Sequence, residues 1–252
     1  MFTKAIVRKP AHTFANGITE ANLGKPDYKI ALKQHEAYCE ALAKCGLELT
    51  ILEANPEFPD SCFVEDTAVV TKDFGVIARP GNIKRQGEEI EIKKVLEPLL
   101  PLYSITEPGT LDGGDVMQAD NKFIIGLSNR TNLTGSRQLK EILEKHNYDV
   151  TVIPICNILH FKTGVNYLGE NNLLLQEGIC SLNELSSYNH IIIEQDEFYA
   201  ANCLRVNDYV LVPKGFPKTK SNVEKLGYKI IELELSEFQK MDGGLSCLSL
   251  RF

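Results

Sequence analysis

The chain has 252 residues, 43% of them hydrophobic, and a formal net charge of −7 at pH 7. Nucleic acid and anionic membrane surfaces both attract an excess of Lys and Arg, so this acidic chain is a poor match for either, and a small cationic ligand is the better expectation. The length suffices for a substantial hydrophobic core, and we predict a single domain over residues 1–252.

Neither targeting signals nor cysteine spacing suggests an exported protein. Residues 1–9 lack the apolar core of a signal peptide, and no apolar run approaches the ~20 residues of a membrane-spanning helix. We therefore expect a cytoplasmic location.

The seven cysteines are an odd number with no Cys-x-x-Cys pair, which argues against a disulfide framework and a zinc knuckle. Cys62 and Cys203 lie in polar loops, whereas four others adjoin apolar stretches and are predicted to be buried. These four are Cys39, Cys45, Cys156 and Cys180.

The first clear element along the chain is a helix that begins near Pro26. Its apolar face is defined by seven residues at helical spacing. They are Tyr28, Ala31, Leu32, His35, Tyr38, Cys39 and Leu42.

The end of this helix is repeated later in the chain. Segments 44–51, 145–152 and 225–231 each begin with Lys, continue through Gly or Asn, and end in alternating β-branched residues. Lys suits the negative end of a helix dipole, Gly or Asn suits the left-handed position after the cap, and the alternation predicts a strand. Fainter helices are predicted around Glu88 to Leu96 and around Cys180 to Ser187, which makes five modules of roughly fifty residues.

Each module is predicted to run strand, strand, helix, strand, with a polar motif just ahead of the first strand. The motifs are residues 60–66, 111–115, 160–164, 201–203 and 242–247. Repeats of this size stack either radially or in a line, and only radial closure brings all five motifs together. We expect a closed, propeller-like α/β array rather than a linear solenoid.

The motif closest to the carboxyl end carries a candidate nucleophile. Two glycines precede Cys247, an arrangement that lets a substrate approach the backbone and exposes a thiol beside a short strand. His160, at the end of an apolar run, is the best candidate to activate it, and Asp112 could orient the imidazole. Each has a plainer alternative, since His160 could be a core histidine and Asp112 a turn residue bonding its own backbone.

A second group of residues suits an amino acid with a guanidinium group. Asp60, Glu65 and Asp66 surround an apolar dipeptide, and carboxylates match the forked hydrogen-bond donors of a guanidinium. Arg85 and Arg130 could bind an α-carboxylate in a bidentate manner. Taken singly, either arginine would more commonly lie on the surface.

Together these motifs resemble the dimethylarginine dimethylaminohydrolases of the guanidine-modifying superfamily, over nearly the whole chain. The resemblance implies a five-bladed α/β propeller. The segments that carry it are residues 23–28, 58–66, 79–81, 130–132, 159–164, 199–203 and 242–252.

The resemblance also implies roles for individual residues. Cys247 would be the nucleophile, His160 the general acid and base, and Asp112 the support of His160. Close bacterial relatives can carry Glu where this chain has Asp112, and the shorter side chain leaves the division of roles with Asp66 open. Residues 14–24 would form a mobile lid with Gly17 and Gly24 as hinges. The implied substrate-binding residues are Ile18, Asp60, Glu65, Asp66, Arg85, Arg130 and Met241, with Ile18 and Met241 acting through their backbones.

The implied activity is hydrolysis of mono- or dimethylated L-arginine to L-citrulline and an amine, through a thiouronium on Cys247 and without a metal or organic cofactor. Arginine deiminase shares the catalytic residues but carries an additional helical domain, and an amidinotransferase would need an amine acceptor. A protein that binds ligands or senses oxidants through Cys247 without turnover is the alternative from another class. Oligomeric state is left open, with a homodimer as one hypothesis.

Overall fold

The computed structural model describes residues 1–180 and 182–252. Contacts between Cα atoms divide the chain into two compact units. We call Met1–Val64 together with Asn202–Phe252 the terminal unit, and Glu65–Ala201 the central unit. The single domain expected from the sequence stays a prediction.

Fifteen strands and six α-helices were assigned within the described residues. The strands are β1 Lys4–Arg8, β2 Glu48–Leu52, β3 Ala68–Val70, β4 Gly75–Ile77, β5 Leu102–Ser104, β6 Val116–Ala119, β7 Lys122–Leu127, β8 Asp149–Pro154, β9 Val165–Gly169, β10 Asn172–Leu175, β11 Asn189–Ile192, β12 Leu204–Val206, β13 Tyr209–Pro213, β14 Lys229–Leu233 and β15 Leu250–Arg251. The helices are α1 Tyr28–Lys44, α2 Glu88–Leu96, α3 Leu133–Lys145, α4 Phe161–Gly164, α5 Pro217–Glu224 and α6 Ser236–Gln239.

The central unit contains three sheets of three strands, in the orders β3-β4-β5, β6-β7-β8 and β11-β10-β9. In each sheet the first two strands in chain order pair antiparallel, and the third in chain order pairs parallel to the middle strand. Helices α2 and α3 make the parallel crossovers of the first two sheets. In the third, the helix predicted around Cys180 to Ser187 is a short 3-10 turn, Leu182–Leu185, and Ser181 lies outside the described residues.

The terminal unit contains the other two sheets. One is β12-β13-β14 with α5 as its crossover, and the other is β15-β1-β2 with α1 as its crossover. Strand β15, from the end of the chain, pairs antiparallel with β1 through Ala5 opposite Arg251 and Ile6 opposite Leu250. The five sheets confirm the predicted α/β fold class and its strand, strand, helix, strand module.

The repeated helix ends adopt the predicted conformation. Gly46, Asn147 and Gly227 have φ values of 93°, 63° and 84°, which is the left-handed region that favours Gly and tolerates Asn. A strand begins two residues after each of them. The three segments therefore end a helix and turn the chain into the parallel strand of its module.

Separate groups of apolar side chains stabilise the two units. In the terminal unit, the buried rings of Phe14, Phe63 and Phe238 pack with centroids 5.4 to 6.3 Å apart. In the central unit, one buried cluster runs from Val69 to Leu143, and a second includes Phe161, the first residue of α4. No helix built from the described residues combines the length and the apolar character that crossing a bilayer demands.

Candidate active site

The thiol of Cys247 lies on a tight turn of the terminal unit. Ser246–Leu248 form a single 3-10 turn just before β15, and the Cys247 side chain is half-buried. The N–H of Gly244 donates to the Cys247 Sγ across 3.5 Å, which favours negative charge on the sulfur. The sequence thus correctly indicated a thiol presented by a glycine-containing loop.

Two side chains that the sequence analysis did not assign to the site hold this turn in place. The Tyr38 hydroxyl on α1 donates to the Leu245 carbonyl across 2.8 Å and lies 2.6 Å from the Ser249 Oγ. The Asn202 amide bonds the side chain and the backbone of Ser246 at 3.0 and 2.8 Å. The turn therefore depends on contacts from distant parts of the sequence and not on the sulfur itself.

In the central unit, His160 lies between two buried carboxylates. Its Nε2 is 3.0 Å from Asp112 Oδ2 and its Nδ1 is 3.8 Å from Asp66 Oδ1. Burial alone would lower the pKa of His160, but the charges of Asp66, Asp112 and Asp115 outweigh it and raise the pKa to about 9. The imidazole is therefore protonated at neutral pH and can act as a proton donor.

The backbone next to His160 is fixed by Asp115, which the sequence analysis did not single out as a site residue. Its Oδ1 accepts a 3.0 Å hydrogen bond from the Phe161 N–H, and its Oδ2 accepts a 2.6 Å bond from Ser128. Phe161 is fully buried in the second cluster of the central unit. This anchoring determines where α4 begins and hence where the His160 ring points.

Asp66 is bonded on both sides. It accepts a 2.6 Å hydrogen bond from Arg85 Nη1 and a 2.9 Å bond from the Gly114 N–H. Burial tends to raise the pKa of this carboxyl, but His160 and Arg85 outweigh it and lower the pKa to about 2. Asp66 therefore stays ionised beside the imidazolium.

Arg85 lies in the same cluster, and its donors face carboxylates of the protein. Nε and Nη2 bond Glu88 at 2.8 to 3.2 Å, and Nη1 bonds Asp66. Glu88, at the first turn of α2, was missed because a helix-start glutamate is common and carries no signal of burial. Binding of a substrate carboxylate by Arg85 stays a prediction.

Asp112 connects the histidine to the loop around Arg130. Its Oδ1 accepts a 2.8 Å hydrogen bond from the Gly81 N–H, and its own N–H donates to Thr131 across 3.1 Å. A Cβ on Gly81 would overlap the Arg130 backbone, 2.5 Å from its Cα. Gly81 therefore permits the close approach of two loops that carry predicted site residues.

Arg130 has an unsatisfied donor. The side chain is half-buried, and its Nη1 is buried without a hydrogen-bond partner among the described residues. Buried polar groups are nearly always paired in folded proteins. The predicted role of Arg130, to bind a carboxylate, would supply that partner.

Asp60 and Glu65 belong to different units and have different partners. Both carboxylate oxygens of Asp60 accept from the Ile18 N–H, at 3.2 and 3.0 Å. The neighbouring Gly17 has no room for a Cβ, which would overlap Asp60 Oδ1 and lie 3.1 Å from Met241 Cε. Glu65 in the central unit instead pairs with Lys162, at 2.7 Å.

The predicted lid is fastened to the loop that leads to Cys247. Thr19 Oγ1 donates to the Asp242 carboxylate across 2.9 Å and also bonds the Lys240 carbonyl, while the Glu20 N–H reaches Asp242 at 2.7 Å. Gly24 has a φ of 85°, a conformation that suits a glycine hinge. Motion of residues 14–24 stays a prediction.

One group of ligand atoms among the described residues has the spacing of a metal site. One atom each of Asp66, Asp112 and His160 lie within 4.8 Å of one another. Arg85 and the protonated His160 already place positive charge against these carboxylates, so a metal ion would have to overcome the charge of Arg85 and displace a proton from His160. Function without a metal stays a prediction.

The predictions for the other cysteines had mixed outcomes. Cys39 and Cys45 are buried as predicted, and Cys62 and Cys203, left open by the sequence, are each 1% exposed. Cys156 is exposed, so its predicted burial is wrong. It lies two residues after the end of β8 and next to Asn157, whose positive φ of 60° marks a turn of the chain.

We expect the stability of the protein to fall above neutral pH because of His160. Its pKa is raised from 6.5 to about 9 in the folded state, so its contribution is fully present below about pH 6.5 and is lost as the pH rises through about 9. The loss should be roughly 3 kcal/mol. Urea unfolding at pH 6.5 and 9.5 measures it. His160→Asn should be much less pH-dependent over this window, and equal pH dependence of the two proteins would contradict the prediction.

We also expect Gly114→Ala to separate Asp66 from His160. The added Cβ would lie 2.7 Å from Asp66 Oδ1 and 2.9 Å from His160 Cγ. A greater distance between the Asp66 carboxylate and the imidazole should lower the pKa of His160 from about 9, as followed by NMR of the ring protons. Gly75→Ala is the matched control because its Cβ meets only the flexible end of Leu102. An unchanged His160 titration in Gly114→Ala would show that Asp66 is not the source of the shift.

Comparisons with known proteins match this chain over most or all of its length. A family model described as N,N dimethylarginine dimethylhydrolase, eukaryotic, matches residues 12–181. The N(G),N(G)-dimethylarginine dimethylaminohydrolase of Pseudomonas aeruginosa is 44% identical over the full length of both chains. The structure of a cysteine mutant of that enzyme with citrulline superposes with a TM-score of 0.98 and full coverage of both chains. The N-terminal domain of ArgZ, a cyanobacterial arginine dihydrolase, has the same fold at 20% identity, with a TM-score of 0.91 and coverage of 100% of this chain and 98% of that domain.

Proposed function

Because this chain belongs to the dimethylarginine dimethylaminohydrolase family, we propose that it hydrolyses mono- and dimethylated L-arginine to L-citrulline and the corresponding amine. The observation that carries the proposal is the buried group of His160, Asp66 and Asp112, in which a protonated imidazole lies against two carboxyl groups. Such a group can give a proton to a departing amine. The Pseudomonas aeruginosa relative has been crystallised with citrulline and as an adduct with S-methyl-L-thiocitrulline, which supports the same substrate class here.

The proposed reaction has two covalent steps, with Cys247 as nucleophile. The Cys247 thiolate attacks the guanidinium carbon, and the tetrahedral adduct collapses as His160 gives its proton to the leaving methylamine or dimethylamine nitrogen. A thiouronium remains on Cys247. Neutral His160 then takes a proton from water, and the resulting hydroxide attacks the same carbon. The adduct loses its hydroxyl proton to solvent as cleavage of the C–S bond releases citrulline and the thiolate. Dividing one displacement into two lowers each barrier.

The charge balance of the cluster around His160 favours a cationic substrate. Asp66, Glu88, Asp112 and Asp115 supply four buried carboxyl groups to this cluster, whereas Arg85 and His160 supply two cations. Burial raises the pKa of Asp115. The remaining excess is negative, and a guanidinium would offset it. We propose that Asp66 and Asp112 accept hydrogen bonds from the guanidinium group of the substrate.

For the amino acid end of the substrate we propose Arg130 as the principal carboxylate ligand. Its Nη1 is a buried donor without a partner among the described residues. Arg85 already bonds Asp66 and Glu88, so we give it mainly the task of holding Asp66. Asp60, by bonding the Ile18 N–H, would place the lid backbone for contact with the substrate. Glu65 and the Met241 backbone complete the proposed binding residues.

A substrate panel tests this proposal. Purified protein is incubated separately with asymmetric dimethylarginine, monomethylarginine and arginine, and citrulline and free amine are quantified. We expect both methylated substrates to be turned over faster than arginine. Because an arginine dihydrolase shares the fold, fold alone does not decide the substrate, and fastest turnover of arginine would favour a deiminase instead.

Two further arms address the other candidate functions. Addition of an amine acceptor should not divert the product from citrulline, and formation of a new guanidino compound would indicate an amidinotransferase. A guanidine-like electrophile should label Cys247 selectively, as mapped by peptide mass analysis. Labelling spread over other cysteines, without citrulline formation, would favour the thiol-sensing alternative.

We further propose that the protein acts in the cytoplasm as a single catalytic domain without a cofactor. None of its seven cysteines is in a disulfide, which is typical of proteins in a reducing compartment. Homodimer formation stays a hypothesis, and sedimentation of the purified protein would test it.

A further inference from the structure

Two cysteines that the proposed reaction does not use lie on adjacent loops of the central unit. Cys156 follows β8 and Cys180 follows β10, and the Cys156 N–H donates to the Ile179 carbonyl across 2.9 Å. Since that carbonyl and the Cα of Cys180 share one peptide plane, the hydrogen bond limits the separation of the two cysteine Cα atoms to about 7 Å. Disulfides form at separations of roughly 4.4 to 6.8 Å, so little or no backbone movement is required.

The Cys156 side chain is directed towards the loop that carries Cys180. Its Sγ is 3.5 Å from the Gly178 carbonyl, to which it donates. Cys156 is exposed and Cys180 is half-buried. Burial, with the charges of Glu184 and Cys156, raises the pKa of Cys180. Cys156 is therefore the thiol that an external reagent reaches first.

A small molecule has room to reach Cys156. The residue lines a cavity of about 330 Å³ together with polar side chains that include Ser128, Asn129 and Asn157. This volume is at the lower end of the range found for small-molecule sites. A low-molecular-weight disulfide, such as a disulfide of a small thiol peptide, can thus approach the Cys156 sulfur from solvent.

We propose that Cys156 and Cys180 are a redox pair that closes a reversible disulfide. The Cys156 thiolate attacks one sulfur of a low-molecular-weight disulfide, which forms a mixed disulfide and expels one thiolate. The Cys180 thiolate then attacks the Cys156 sulfur, which expels the second thiolate and leaves the Cys156–Cys180 bond. Two protein thiols are oxidised and one external disulfide is reduced to two thiols, which take up the two protons that the protein thiols lose.

The crosslink would join two segments that both contact the helix of the catalytic histidine. A Cβ on Gly164 in α4 would lie 2.5 Å from Ile158 Cδ1 and 2.9 Å from Ile179 Cδ1, so both loops pack tightly against α4. His160 is the residue that immediately precedes α4. The modification is therefore placed where it ties together the support of the proposed general acid.

The test uses the full chain carrying Cys247→Ser, so that the proposed nucleophile does not react. The protein is titrated with oxidised glutathione, the remaining thiols are alkylated, and intact mass and non-reduced peptide maps are recorded. We expect loss of two hydrogen atoms, a crosslinked peptide pair containing Cys156 and Cys180, and full reversal by dithiothreitol. An accumulating glutathione adduct on Cys156, or a crosslink to another cysteine, would overturn the proposal.

The matched control adds Cys180→Ser. Without the resolving thiol, Cys156 should keep one glutathione, so the mass should rise by one adduct rather than fall. Thermal melting confirms that this variant is folded, and Cys156→Ser serves as a second control in which Cys180 should stay unmodified. Rapid modification of Cys180 in Cys156→Ser would reverse the assigned order of attack, and full retention of both thiols in the parent protein would refute the pair.

Discussion

Cys247→Ser is expected to reduce citrulline formation by about 10⁴-fold or more. Serine keeps nearly the same volume, but its hydroxyl is far less acidic than a thiol and provides almost no anionic nucleophile at neutral pH. The Gly244 N–H that donates to the sulfur cannot compensate for this difference in acidity. Steady-state assays with dimethylarginine measure the loss.

The fold of Cys247→Ser should be nearly unchanged. Tyr38 and Asn202 hold the surrounding turn through Leu245, Ser246 and Ser249, and none of these bonds involves the sulfur. We expect the free energy of unfolding to change by less than about 1 kcal/mol. Cys156→Ser is the matched control for activity because that thiol is exposed and lies outside the proposed catalytic residues. Comparable turnover by Cys247→Ser and the parent enzyme would rule out Cys247 as the nucleophile.

His160→Ala is expected to lower kcat by about 10² to 10⁴-fold, which is the typical contribution of a general acid and base. The imidazole is held 3.0 Å from Asp112 with its pKa raised to about 9, so the protonated form that assists the leaving amine dominates at neutral pH. Without it the amine must depart unprotonated. The substitution should change kcat much more than KM, since the substrate guanidinium would still bind Asp66.

A control is needed because His160→Ala also leaves Asp66 and Asp112 without their imidazolium partner, which destabilises buried carboxylates. Thermal melting at pH 6.5 measures this second effect. His12→Ala, at an exposed position, should keep both activity and stability. If the folded His160→Ala protein showed less than a tenfold loss of kcat, His160 could not be the principal proton donor.

The local features of this chain could be predicted because they depend on neighbouring residues. Helix ends at Gly46, Asn147 and Gly227 follow from the left-handed conformation that Gly and Asn tolerate, and the capping of α1 by Asp27 through the N–H groups of Lys29 and Ile30 is equally local. The motifs around Cys247 and His160 were identified in the same way, since glycine-rich polar loops differ plainly from the strands beside them.

Partners distant in sequence could not be predicted. Glu88 is separated from Asp66 by 22 positions and shares Arg85 with it, yet nothing in a helix-start glutamate distinguishes this buried ion pair from a solvated surface charge. Asp115 and Asn202 were inside recognised motifs, but their bonds to Phe161 and Ser246 depend on how separate modules fold. The partner of Arg85 could not be predicted either, because a guanidinium group binds a substrate carboxylate and a protein carboxylate equally well.

The amino-acid sequence alone therefore determined the strand, strand, helix, strand module, its turns, and the identity of the candidate nucleophile and acid. These features depend on backbone conformation and side-chain chemistry, which are properties of short segments. Burial and pairing were decided only when the chain folded. Whether His160 is neutral or charged depends on Asp66, Asp112 and Asp115 being held against it away from water, and such electrostatic energies depend on distance and on the removal of solvent, neither of which a linear pattern specifies.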